Sequence, residues 1–133
     1  MENYVVTLTP DEFSRLYAPN PAEKISAAER FSRALDRAAN AALVHASEDD
    51  GGTCNFDSPA LDPKSCGLTR KKVIEILAAH NLRCYDWKLG GTKALVLCGF
   101  TSGQGNRRTS MAEAACRSLE ADGYSVCMYY QMD

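Results

Sequence analysis

The chain has 133 residues and a formal net charge of −2, with 45% hydrophobic and 24% charged residues. That balance fits one folded domain with a sizeable core and excludes a disordered chain; no apolar run approaches the ~20 residues of a membrane-spanning helix. Residues 1–66 carry six Lys/Arg against eleven Asp/Glu and residues 67–133 nine against six, so the C-terminal half suits anions, although a chain acidic overall is a poor general DNA binder.

Met1-Glu2-Asn3-Tyr4 lacks a basic start followed by an apolar stretch, which predicts an intracellular, cytoplasmic protein. In that setting Cys54, Cys66, Cys84, Cys98, Cys116 and Cys127 read as free thiols, not a disulfide frame. There is no CxxC pair, and His45 and His80 stand far from any tight cysteine pair. No metal site and no cofactor are expected.

Tyr4-Val5-Val6-Thr7-Leu8 reads as a short strand. Thr9 then caps a short helix ending near Tyr17, with Pro10 at its first position and Glu12 completing a capping box. Asn20-Pro21-Ala22-Glu23 repeats that signature and predicts a long helix through Ile25, Phe31, Leu35 and Ala38 to Ala42. Residues 51–68 read as an irregular connection, because Pro59 and Pro63 argue against a helix or a central strand. A connection that long is often functional.

A third helix is expected from the cap Thr69, with Leu68 stapling against Val73, a buried stripe of Val73, Ile76 and Leu77, and Asn81 in the left-handed position at its end. Strands from Arg83 to Leu89 and from Lys93 to Gly99 form a hairpin around Gly90-Gly91. A two-residue turn sets Trp87 against Ala94 and Tyr85 against Val96; a three-residue turn sets Cys84 against Cys98. Ser110-x-x-Glu113 predicts a helix from Met111, with a stripe of Ala112, Ala115, Cys116 and Leu119, ended by Gly123. Tyr124 to Gln131 reads as the last strand, and the final β-α-β unit as a right-handed crossover between parallel strands.

The fold class expected is α+β in a single domain over residues 1–133: a helical part (1–50), an irregular loop (51–68) and an α-β-β-α-β part (69–133). The sheet is expected to be small and mixed, with three to four strands and a C-terminal β-hairpin–α–β unit. The long N-terminal helix and two shorter helices pack it.

The candidate site is the stretch between the apolar run Ala94–Cys98 and Met111. Ser102, Gly103, Gln104, Gly105, Asn106, Arg107, Arg108 and Thr109 make a polar, twice-cationic loop leading into a helix N-terminus, where dipole and backbone N–H groups favour an anion. Gly103 and Gly105 allow close backbone approach, and the arginine forks suit phosphate or carboxylate. The stretch matches neither the Walker nor the Rossmann glycine pattern. Asn55, Phe56, Asp57 and Ser58 read as a second wall, with Phe56 stacking on a base and the polar groups bonding its edge. An Ω-loop satisfying its own backbone stands beside that reading. Tyr129 and Tyr130 point to opposite faces of a strand, so one is exposed and suits an interface, with a host protein or in a homo-oligomer. No catalytic residue is assigned.

Three segments, Gly51 to Leu61, Ser102 to Thr109 and Met128 to Asp133, resemble a group of small, functionally unassigned proteins of phages and other mobile elements. The resemblance covers roughly residues 51–133. It implies counter-defence, by blocking a host effector or sequestering a nucleotide signal. Together these readings predict a non-enzymatic binder of a phosphate-bearing ligand, a nucleotide signal or a nucleic-acid end, with no membrane partner. One alternative is an anti-CRISPR-like protein inhibitor using the acidic N-terminal helices and the tyrosine tail. Another is a small hydrolase or nuclease drawing on Cys54, Asp57 or His80.

Overall fold

A computed structural model of the chain describes residues 25–46, 57–101 and 105–130. The expected strand at Tyr4–Leu8, the short helix after Thr9 and the Asn20 cap lie outside them. Helix α1 spans Ala27–Val44. Ser26 caps it, its Oγ accepting from the Glu29 N–H at 3.1 Å, and Glu29 favours the positive end of the dipole. Ile25 and Ser26 therefore precede this helix, whereas the sequence pattern runs the helix through Ile25. Phe31, Ala34, Leu35, Ala38 and Ala42 recur at three- and four-residue steps and form its buried face.

Strand β1 (Ser58–Leu61) and a 3-10 turn (Pro63–Cys66) occupy part of the stretch expected to be irregular. β1 is an inner strand despite Pro59. The Asp62 N–H bonds the Ser125 carbonyl at 2.9 Å, so by alternation the polar groups of Ala60 and Ser58 face the same neighbour. Those of Pro59 face the other neighbour, where the ladder reaches only Leu61 and Ala60. The missing N–H thus falls where no ladder bond is formed.

Helix α2 (Arg70–Ala79) begins and ends as the sequence predicts. Thr69 Oγ1 accepts from the Lys72 N–H at 3.2 Å. Asn81 takes φ 61°, and the bonds from Asn81 N–H to Ala78 and from Leu82 N–H to Leu77 complete a Schellman end. Strands β2 (Arg83–Leu89) and β3 (Thr92–Cys98) turn through Gly90-Gly91 alone. Both glycines have positive φ, as a type I′ turn requires. Of the two registers the sequence leaves open, this is the one pairing Trp87 with Ala94 and Tyr85 with Val96.

Helix α3 (Gly105–Ala121) already includes Gly105 to Ser110. The expected start at Met111 is therefore too late, and Ser110 caps nothing: its hydroxyl bonds back to the Arg107 carbonyl at 2.8 Å. Gly123 (φ 93°) ends the helix, with Tyr124 N–H on the Leu119 carbonyl. Strand β4 is limited to Val126–Tyr129, shorter than the expected Tyr124–Gln131; the buried Tyr124 ring packs edge-on against Phe31 at 5.4 Å.

The sheet order is β2-β3-β1-β4, antiparallel at every neighbour pair. The expected mixed sheet is corrected by β1, which lies between β3 and β4. Those two strands run parallel, as the β-α-β reading requires, but are not neighbours. Likewise β1 and β2 run parallel with β3 between them. From β1 onward the connectivity is the β-α-β-β-α-β, split β-α-β arrangement of ferredoxin-like folds, with α1 added in front. The α+β class stands.

The three α-helices of the described residues lie on one face. Leu61, Leu95 and Leu97 of the sheet close against Phe31 and Leu35 of α1, Val73 and Leu77 of α2, and Met111, Ala115 and Leu119 of α3. The expected small-residue stripe of α3 is buried, and α1 packs chiefly along it. Arg37 Nε reaches Asp122 Oδ2 at 2.9 Å, tying α1 to the end of α3 with only 6% of the arginine side chain exposed.

Candidate functional site

The start of α3 is where two of the expected walls meet. Thr109 Oγ1 donates to Asp57 Oδ2 at 2.7 Å across 52 residues of sequence. Asp57 is 2% exposed and Ser58 4%. Both are sunk in the fold, Ser58 as the first residue of β1. Ser58 is therefore a strand residue, not part of a free loop edge. Asn106 is exposed, and Arg107, Arg108 and Thr109 are half-buried in the first turns of α3. Asn55, Phe56, Ser102, Gly103 and Gln104 lie outside the described residues; Gly105 begins the described helix.

The electrostatics of this helix start are unusual for a stability-driven design. Acidic side chains near an N-terminus stabilise a helix and basic ones oppose its dipole. The first turn of α3 holds no acidic residue, and Arg107 and Arg108 follow immediately. The compensating carboxyl comes from another element, Asp57, through Thr109. The positive end of the dipole and the two arginines thus share the first turns of α3, where Thr109 holds one buried acid.

Tyr129 and Tyr130 diverge as expected. Tyr130 is 60% exposed, and its hydroxyl donates to Glu113 Oε1 at 3.0 Å. Tyr129 turns onto the sheet face away from the helices. There it meets Trp87 edge-to-face at 4.6 Å and Tyr85 at 6.3 Å. Beneath these rings, Ala60, Ala94 and Val96 are 0–4% exposed. Sequence reading treats Tyr85 and Trp87 only as hairpin partners. The signal that could have assigned them is the Gly90-Gly91 turn, which puts both rings on one face over small residues.

A second cluster unites residues far apart in sequence. Ser32 Oγ lies 2.7 Å from His80 Nε2, and Asp36 Oδ1 lies 3.3 Å from His80 Nδ1. Ser32 and Asp36 are one turn apart on α1, and His80 closes α2, so the three side chains join those helices. At the hairpin end of the sheet, Lys64, Arg70 and Lys93 line a cleft with Asp62. Arg70 and Lys93 are both engaged by Asp86, and the Arg70 hydrogen bond holds that carboxyl below its ordinary range.

The described cysteines are free thiols. Burial pushes Cys66 up to about 12 and Cys116 up to about 11, and raises Cys84. These three stay protonated at neutral pH and are poor nucleophiles. Among the described residues no helix is long and apolar enough to cross a membrane. No family model matches the chain, and no curated protein or solved structure is significantly similar to it.

Proposed function

We propose that the protein is a non-enzymatic binder of a phosphate-bearing ligand, a nucleotide signal or a nucleic-acid end, taken at the start of α3. The observation that carries this reading is the Thr109–Asp57 hydrogen bond. It joins the two segments whose composition suits phosphate and base, beside a helix start holding two arginines and no acid of its own. Arg107 and Arg108 supply forked donors, and the helix dipole adds to their attraction for an oxyanion. The counter-defence setting follows from the resemblance of residues 51–133 to proteins of mobile elements, with sequestration of a host nucleotide signal as the role.

The test is thermal stability of the purified protein against nucleotides, cyclic nucleotides and short oligonucleotides. A ligand at ~100 times its dissociation constant adds about 2.7 kcal/mol if it binds only the folded state. One nucleotide class should raise the melting temperature, and the double substitution Arg107→Ala plus Arg108→Ala should remove the rise while the unliganded protein stays folded. A rise that survives the double substitution would overturn the site.

A second reading, a small hydrolase, draws on the Ser32–His80–Asp36 order of hydroxyl, imidazole and carboxylate. A serine-directed phosphonofluoridate would form an Oγ–P bond at Ser32 with release of fluoride. Labelling lost in His80→Ala supports this reading, and an unlabelled wild-type protein sinks it.

A further inference from the structure

Strand register divides the sheet cleanly into two faces. On the face turned from the helices stand Arg83, Tyr85 and Trp87 of β2, with Tyr129 of β4 across from them. Thr92, Ala94, Val96 and Cys98 of β3, Ser58 and Ala60 of β1, and Cys127 fill the space between. Asp62, in line with Trp87 and Ala94, borders this face at its hairpin end, where it lines a shallow pocket with Ala60, Thr92, Ala94 and Cys127; Arg83, at the opposite end, is exposed.

The aromatic rings grow from the two edge strands and meet over the small side chains of the inner pair. Tyr85 keeps 45% of its surface exposed, although it packs edge-on to Tyr129. The result is an aromatic surface with the cation Arg83 at one end and Asp62 at the other, so a phosphate backbone is favoured at the Arg83 end. An unpaired base offers a flat π-face to such rings, and stacking of this kind is tolerant of sequence. A duplex hides its base faces and cannot use it.

The start of α3 lies at the Arg83–Tyr129 end of the sheet, on its helix side. Ser58 pairs with Tyr129, and Asp57, next to Ser58, holds Thr109. A strand crossing the sheet from Tyr85 to Tyr129 then turns over that end of the sheet to reach the first turns of α3.

We infer that the ligand is a single-stranded nucleic acid, with successive bases stacked on Tyr85, Trp87 and Tyr129 and its backbone running between Arg83 and the start of α3. This rests on the reading of the α3 start as the place that takes phosphate. It also accounts for an acidic protein binding nucleic acid: stacking supplies what net charge does not, and the positive charge needed is local.

Trp87 is the only tryptophan of the chain, so intrinsic fluorescence reports on this face alone. The experiment titrates the full chain with a 12-nucleotide oligothymidylate, its RNA counterpart and a DNA duplex of the same length. Fluorescence and the anisotropy of a dye-labelled strand are read together. The single strand should quench Trp87 saturably, and the duplex should bind at least about tenfold more weakly. Tyr85→Leu, at a position already half open to solvent, should weaken the single strand about tenfold while leaving the melting temperature close to wild type.

Single-strand binding seen by anisotropy with no Trp87 quenching and no effect of Tyr85→Leu, yet lost in Arg107→Ala plus Arg108→Ala, overturns the stacking face and leaves the phosphate site standing. Loss of all oligonucleotide binding alongside a retained thermal response to mononucleotides has the same meaning. Equal binding of duplex and single strand overturns the inference, as does self-association that Tyr85→Leu abolishes. In the last case a second copy of the chain owns this face.

Discussion

The two faces of the sheet exclude water equally well by different means. On the helix side, Leu61, Leu95 and Leu97 are 0–1% exposed because three helices cover them. On the other side, Ala60, Ala94 and Val96 reach 0–4% under the rings of Trp87 and Tyr129. The aliphatic face buries its side chains in a continuous core, which is where the hydrophobic term is largest. The aromatic face buries small residues and leaves its own rings half open, so its chemistry remains available to a partner. A closed aliphatic core and a half-open aromatic surface thus occupy opposite sides of one four-stranded sheet.

The largest expected effect follows on the covered face. Leu95→Ala removes a fully enclosed side chain between β3 and the helices. It should cost about 2–5 kcal/mol by the lost transfer energy plus the cavity left behind. Urea denaturation of the purified variant measures this. A loss below about 1 kcal/mol would mean that the helix layer collapses readily onto the sheet, and the contrast between the faces would fail.

Alkaline pH should weaken the same face. Burial raises Cys66 from an ordinary 9.0 to about 12 and Tyr124 from 10.0 to about 12. The folded state keeps both groups protonated while the unfolded chain begins to release their protons near pH 9 and pH 10. Where the folded state binds more protons, stability falls as pH rises. The contribution is therefore complete below pH 9 and disappears as pH rises towards 12. Denaturation midpoints at pH 7, 9 and 10.5 should decline in order, and Cys66→Ala should flatten the decline. A pH-independent midpoint across that window would contradict the burial of both groups.

On the aromatic face, Trp87→Ala should cost less than Leu95→Ala. The Trp87 ring is half-buried, and its edge-to-face contact with Tyr129 is worth about 1 kcal/mol beyond the area it covers. The same urea experiment ranks the two variants. A Trp87→Ala loss equal to that of Leu95→Ala would make this face a second core, with no spare surface for a ligand.

How much of this was legible depends on whether local chemistry or a distant contact decides each element. The hairpin with its two-glycine turn, the stripes of α2 and α3, and the endings at Asn81 and Gly123 are short-range features, and they read directly from the residues. β1 did not read, because Pro59 is compatible with an inner strand only when its neighbour's ladder stops one residue short. The antiparallel order did not read either, since it depends on β1 inserting between β3 and β4. Of the candidate site, Asp57 and Thr109 are hydrogen-bonded, Asp57 as a buried acid and Thr109 within a helix, where the sequence suggested open loops. The Ser32–His80–Asp36 cluster spans 48 residues between its serine and its histidine, and no spacing rule could have proposed it.

The smallest expected effect separates the two interlocked halves at their helix starts. Both carry a hydroxyl residue that the capping rule would choose, Thr69 and Ser110. Thr69 is a cap: its Oγ1 accepts the Lys72 N–H, and Thr69→Ala should cost about 1 kcal/mol. Ser110 lies inside α3, bonded to a carbonyl its own helix can satisfy without it, and Ser110→Ala should change stability by less than about 0.5 kcal/mol. The difference has a cause beyond either residue. α2 starts where its own sequence provides a cap, whereas the first turns of α3 are met by Asp57, from the residue before β1, acting through Thr109. Thr109→Val, which keeps the shape and deletes the donor, should therefore destabilise the protein more than Ser110→Ala. Circular dichroism melts of the three variants test the order. If Ser110→Ala proves as costly as Thr69→Ala, the helix starts at Met111 after all, and residues 105–110 return to the loop that their composition suggests.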